Sequence, residues 1–128
     1  RRDDYLKHTD RFNTLGADYY AAALDRIGQT VKTPDVFVFS DDIEQVKSEN
    51  LFECPVTYVE TGSLHTDFQL FRSCRHTIIA NRTFSWWSAY LNAQPDKQII
   101  APKYYYATDW RQAEYERNPR VLSGWDMV

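Results

Sequence analysis

Short runs of β-branched and aromatic residues alternate with helical stretches along most of this 128-residue chain. That alternation constrains the fold more than any other feature. Residues 18–27 (DYYAAALDRI) are Ala-rich and helical, with Gly28 placed to end them. Residues 35–40 (DVFVFS) read as a strand buried on both faces, because the apolar run is continuous rather than alternating. Residues 41–50 (DDIEQVKSEN) start with carboxylates and carry Ile43 and Val46 at helical spacing. A short strand follows at Val56 to Val59. Residues 66–73 then place Phe68, Leu70 and Phe71 on a helical face. The alternation continues with a strand at residues 76–80, a helix over 84–92 and a strand at 98–101 closed by Pro102. A last helix is expected over 109–115. Such an order predicts βαβ units on a parallel sheet, an α/β Rossmann-like layer flanked by helices. No linker interrupts the chain, so one domain over 1–128 is expected.

Composition narrows the function. Lys plus Arg number 15 and Asp plus Glu 18, and this mild acidic balance argues against generic binding to nucleic acid or to an anionic membrane. The apolar runs fall far short of the ~20 residues that span a bilayer. The opening Arg1-Arg2-Asp3-Asp4 shows no signal-peptide pattern, and without an initiator Met the start reads as cut. Cys54 and Cys74 are too few for a disulfide scaffold and are expected as reduced thiols, one or both in the core. The three His lack zinc-ligand spacing, so no structural metal is expected.

In an open parallel sheet, ligands bind in the loops at the carboxyl ends of the strands. Four places pass that filter. Arg1-Arg2-Asp3-Asp4-Tyr5 offers two rigid donor forks suited to a diphosphate, or else a solvated terminus. Ser40-Asp41-Asp42 suits a nucleotide contact or a helix cap, and so does Thr66-Asp67, whose carboxylate can accept two N–H donors from a guanine edge. The fourth is the segment from Ile78 to Trp87. There a strand runs into Asn81-Arg82-Thr83-Phe84-Ser85, and helix-end N–H groups and two hydroxyls converge as an anion site. Trp86, Trp87 and Tyr90 read as core packing more than as sugar-stacking surfaces. Asn81-Arg82-Thr83 is formally a glycosylation sequon, discounted because a glycan would fill the anion site. No Walker A loop, dinucleotide fingerprint or nucleophile elbow is present in the sequence.

With those residues set out, the chain resembles the family 11 glycosyltransferases, the α-1,2-fucosyltransferases. Arg1-Arg2-Asp3-Asp4-Tyr5 is similar to the end of that family's His-x-Arg-Arg-Gly-Asp-Tyr motif, and Phe39-Ser40-Asp41-Asp42 to its Phe-Ser-Asp-Asp segment. Ile78 through Asn92, with Ile100-Ala101-Pro102-Lys103, resembles its strongest motif.

The resemblance implies the C-terminal, donor-binding half of a GT-B enzyme that is metal-free and uses GDP-L-fucose. It implies inverting transfer to the 2-hydroxyl of a galactose-terminated glycan. Arg1 and Arg2 would be catalytic, holding the β-phosphate. Asp4, Asp41, Asp42, Asp67, Asn81, Thr83, Phe84 and Ser85 would bind the donor, Asp67 at the guanine. The acceptor half would be absent, so the isolated chain would transfer nothing. The location implied is cytoplasmic and peripheral to a membrane for a bacterial-type enzyme, or the Golgi lumen for a eukaryotic one. Two departures stand out: Asp3 replaces the motif's Gly, and the bulky Arg82 replaces a small residue. Other readings remain: a transferase of another nucleoside diphosphate sugar, a carbohydrate-binding module, or a metal phosphohydrolase built on Asp41 and Asp42.

Overall fold

The computed structural model describes residues 12–117 and 119–128. Helices and strands alternate in the order α1 (Ala17–Gly28), β1 (Val36–Phe39), α2 (Ile43–Ser48), β2 (Val56–Val59) and α3 (Leu64–Ser73). The order continues with β3 (Thr77–Ile78), α4 (Thr83–Tyr90), β4 (Ile99–Ala101), α5 (Asp109–Arg117) and β5 (Asp126–Met127). Every strand pairing is parallel: β1 with β2 from Val36↔Val56 to Phe39↔Val59, β3 with β4 from Thr77↔Ile99, and β4 with β5 from Ile100↔Asp126. The mixed α/β class with parallel strands is therefore present.

Among the described residues the sheet is not continuous. The strands form a pair, β1-β2, and a triplet, β3-β4-β5. This corrects two expectations. β1 is not buried on both faces, since Phe37 is 50% exposed and its neighbours are only half-buried. The strand at 76–80 contracts to Thr77–Ile78.

Two apolar clusters sandwich the triplet. Ile100 packs with Ala23 and Ile27 of α1, while Ile99 and Ala101 pack with Ile79, Ala89 of α4 and Trp86. Successive residues of a strand point to opposite faces, so β4 supplies both clusters with three residues. The Tyr19 hydroxyl ties α1 to this sheet by donating to the Ile79 carbonyl at 2.5 Å. Burial pushes the Tyr19 pKa up, keeping the hydroxyl protonated for that bond.

The helix starts follow capping chemistry. Asp42 caps α2, its Oδ1 accepting from the Gln45 N–H at 3.0 Å, so the cap reading holds for that acid. α3 begins at Leu64, two residues before the expected start, because Ser63 caps it at 3.3 Å from the Thr66 N–H. Further corrections concern side chains. Cys54 is exposed and Cys74 half-buried, and both are free thiols rather than core residues. Trp86 packs on the core, but Trp87 and Tyr90 are 50% and 49% exposed.

His76 closes the start of the β3–β4 ladder. Its Nδ1 accepts the Gln98 N–H at 3.1 Å, which assigns the ring proton to Nε2. Burial, and then the Arg75 charge, hold its pKa below the ordinary imidazole value. The unfolded chain therefore takes up this proton first. The stability His76 contributes is complete above about pH 6.5 and drains away as pH falls through the lower folded value. Urea unfolding at about pH 7.5 and about pH 5 checks this: wild type loses more stability on acidification than His76→Ala. In the core, Ile100→Ala is expected to cost about 2–5 kcal/mol, whereas Leu64→Ala on the surface stays within about 0.5 kcal/mol.

Candidate donor-binding site

The loops that follow β1, β2 and β3 open onto one cleft of about 1380 Å³. From the first loop it takes Ser40 and Asp41, from the second loop and the first turn of α3 Glu60, Gly62, Ser63 and Asp67, and from the third loop and the first turn of α4 Arg82, Thr83, Phe84 and Ser85. Three short sequence segments far apart in the chain thus meet at the carboxyl ends of parallel strands.

The second loop is a fixed scaffold. The Thr61 hydroxyl donates to Asp67 Oδ1 at 2.6 Å and accepts from the Ser63 N–H at 3.3 Å. Gly62, at φ +73, makes the left-handed turn that brings Thr61 back over the helix start. Asp67 is half-buried in the first turn of α3 and held through one oxygen.

The third loop is built around Asn81, which is 4% exposed. Its Nδ2 donates to the Asn13 carbonyl at 2.8 Å and the Tyr105 carbonyl at 3.1 Å. This amide joins the segment before α1, the turn after β3 and the turn after β4. A buried amide so engaged is closed to glycan attachment. It acts by holding the loops rather than by facing the cleft.

α4 has Arg82 at its N-cap position and no side-chain cap bond, as α1 has none at Gly16, whereas α2 and α3 are capped by Asp42 and Ser63. Its first residues, Thr83, Phe84 and Ser85, line the cleft. The Ser85 hydroxyl donates back to the Ala80 carbonyl at 3.0 Å, so its backbone N–H is the better contact for a ligand. Phe84 is fixed by its rings, stacking on Phe71 at 6.1 Å and edge-on to Phe68 at 5.5 Å. A smaller pocket of about 290 Å³ adjoins Thr83, between Trp86, Trp87, Tyr105 and Leu122.

Of the residues expected at a donor site, the structure brings together Asp41, Asp67, Thr83, Phe84 and Ser85. Asp42 turns away to cap α2, and Asn81 stands behind the loop. Arg1, Arg2 and Asp4 lie outside the described residues. Sequence reasoning passed over Thr61, Gly62 and Ser63. They follow β2 directly, so the same strand-end filter was able to select them. Among the described residues, no group of His, Cys, Asp and Glu is arranged to hold a metal ion. No helix there is long and apolar enough to cross a membrane.

The model for glycosyl transferase family 11 matches residues 1–126. The chain belongs to this family. It is similar to the O-antigen biosynthesis glycosyltransferase WbnK of Escherichia coli, 33% identical over 115 residues that cover 84% of the chain and 37% of that protein. It is also similar to the alpha-1,2-colitosyltransferase of Escherichia coli, 31% identical over 121 residues covering 89% of the chain and 40% of that protein. The chain thus spans well under half the length of these curated relatives. No solved structure matches it.

The Asn81 junction generates a prediction. Asn81→Ala strands two carbonyls and is expected to cost about 1–3 kcal/mol in denaturant unfolding. Asn81→Asp should be no milder, because it places acceptors against those same carbonyls.

Proposed function

We propose that this chain is the nucleotide-binding part of a galactoside α-1,2-fucosyltransferase, taking L-fucose from GDP-L-fucose without a metal. The observation that supports this reading most is the uncapped start of α4, opening onto the same cleft as Asp67. One feature suits a phosphate, the other a base, and strand-end loops position both.

In the proposed assignment Asp67 accepts from the guanine edge, with Thr61 holding the second half of the carboxylate in place. Thr83, by hydroxyl and N–H, and Ser85, by N–H, meet the β-phosphate. Asp4 and Asp41 shape the nucleotide pocket. Among the described residues the cleft is lined by four carboxylates (Asp35, Asp41, Glu60, Asp67) and two arginines (Arg75, Arg82). A diphosphate entering it needs more positive charge, which Arg1 and Arg2 are assigned to supply. The acceptor 2-hydroxyl oxygen attacks the anomeric carbon from the face opposite the phosphate and gives up its proton to a general base assigned to the acceptor half, outside this chain. The bond from that carbon to the β-phosphate oxygen breaks, and GDP leaves with the electron pair. Charge grows on the diphosphate as the bond breaks, so fixed cations there stabilise the transition state more than the ground state.

The family and the relatives' names support a nucleotide-sugar donor and a glycan acceptor. One relative is named for colitosyl transfer with the same 1,2 linkage, which makes another donor sugar the second reading. A carbohydrate-binding surface without transfer gains some support from the exposure of Trp87 and Tyr90. Their rings, however, stand at 90° to one another and form no flat platform.

Calorimetric titration of the chain with GDP tests the site, with UDP as comparator and EDTA present. GDP should bind in preference to UDP, and Asp67→Ala should remove the preference. Equal affinity for both nucleotides, or binding of a β-galactoside alone, would count against the assignment. The isolated chain should form no product from GDP-fucose and a β-galactoside. In a chain of the relatives' length, Arg1→Ala or Arg2→Ala should lower kcat about 100-fold, the worth of one strong electrostatic donor.

A further inference from the structure

The smaller pocket beside the donor cleft, about 290 Å³, has no part in the assignment above. It shares Thr83 and Trp87 with the cleft, so the two volumes meet at the start of α4. Four of its six lining residues are apolar or aromatic: Trp86, Trp87, Tyr105 and Leu122. Of the other two, Thr83 already stands at the proposed phosphate contact, and Arg120 is exposed to solvent. The Trp86 indole N–H is spent, donating to the Arg120 carbonyl at 2.6 Å. A guest in this pocket therefore meets mainly carbon and ring faces.

Two of its walls are fixed from behind. Trp86 stacks on Tyr90 with ring centroids 5.3 Å apart and tilts against Trp125 at 5.8 Å. Tyr105 is buried and held at both backbone ends. Its N–H donates to Gln112 Oε1 at 3.0 Å, and its carbonyl accepts from Asn81 Nδ2 at 3.1 Å. The remaining apolar walls, half-exposed Trp87 and the 41% exposed Leu122, form the side open to solvent. The pocket is thus shaped before any ligand arrives. Its volume lies below the ~300–1,000 Å³ of sites that take a whole ligand, so it suits one part of a larger one.

We infer that this pocket receives the carbon-6 methyl of a 6-deoxyhexose on the donor, and selects such sugars against hexoses that carry a hydroxyl at that carbon. The inference rests on the donor-site reading above, since it takes Thr83 as the phosphate contact. A pyranose joined to the β-phosphate carries hydroxyls around most of its ring, and a 6-methyl is its one wholly apolar vertex. Only the ring oxygen and carbon 5 separate that methyl from the anomeric carbon. A pocket opening beside the phosphate contact is therefore within its reach, while the ring hydroxyls turn to the polar rim of the main cleft. Burying the methyl removes apolar surface of both partners from water. A hydroxyl at the same carbon would give up water for walls of carbon, and walls packed from behind cannot widen to admit it.

Calorimetric titration with GDP, GDP-L-fucose and GDP-L-galactose tests it, the last being the fucose donor with a hydroxyl restored at carbon 6. GDP-L-fucose should bind about 10-fold more tightly than GDP-L-galactose, the worth of one small group in an apolar pocket. Leu122→Asn, at a position exposed enough to spare the fold, should bring the two within about 3-fold of each other. Leu122→Trp, which fills the pocket, should weaken GDP-L-fucose and leave GDP as it was. If the unmutated chain fails to bind GDP, the donor-site reading fails and the inference falls with it. If GDP binds but the two sugar nucleotides bind alike, the inference alone is overturned. A preference that neither Leu122 variant alters overturns it too, because the sugar then lies elsewhere in the cleft. Proton–nitrogen correlation spectra of the unmutated protein give an independent reading. The Trp86 indole resonance should move further with GDP-L-fucose than with GDP, and equal movement overturns the inference whatever the variants do.

Discussion

Four phenylalanines hold together what the backbone leaves apart. Phe39, at the end of β1, stacks on Phe71 of α3 at 5.0 Å, and Phe71 stacks in turn on Phe84 of α4, which meets Phe68 edge-on. Among the described residues no strand ladder joins the β1-β2 pair to the β3-β4-β5 triplet, so this column of rings carries much of the coupling between them. Offset and edge-to-face aromatic pairs each contribute about 0.5–1.5 kcal/mol beyond the area they bury. The same column sets the relation between the loops that carry Asp41, Asp67 and Thr83, since each loop borders one of its members. Packing and site geometry are one arrangement here.

A second junction works by hydrogen bonds. Asn81 spends its amide protons on carbonyls from two distant segments, and Asn92 does the same at the far end of α4, donating to the Cys74 carbonyl and to Thr77 Oγ1. Both side chains are buried, and both fix a loop that side-chain packing alone would leave unregistered. α4 is thereby clamped at each end, which gives its cleft-facing first turn a defined position.

Much of this was legible in the sequence because period and punctuation agree. The Val36–Phe39 run, the Ala-rich stretch before Gly28 and the segment from Ile78 through Tyr90 all form the elements their patterns suggest, within a few residues. The capping acid in the Ser40-Asp41-Asp42 triplet was legible only as an alternative, because two adjacent carboxylates offer one local pattern and two fates. Ser63 was missed as a cap because Thr66-Asp67 offers an equally good one. β5 carries no apolar run at Asp126-Met127, and pairing with β4 alone makes it a strand. The exposure of Trp87 and Tyr90 was hidden for a different reason. Aromatic residues in a helix look alike whether they face a core or a cleft. The break in the sheet was illegible for a deeper reason, since strand pairing is a relation between segments and no single segment encodes it.

The start of α4 sets neighbouring levels of the fold against one another. α2 and α3 each have a capping side chain, whereas α4 has Arg82, whose side chain caps nothing at its helix start. A folding chain gains by satisfying those N–H groups, and an Asp or Ser at 82 would do so. Such a cap would also place an oxygen where the cleft is otherwise open to an anion. The protein therefore carries a small local frustration, a helix end left incomplete by its own sequence, that an incoming anion can relieve. On the proposed donor-site reading, engineering this chain for greater rigidity at that helix start would work against nucleotide binding.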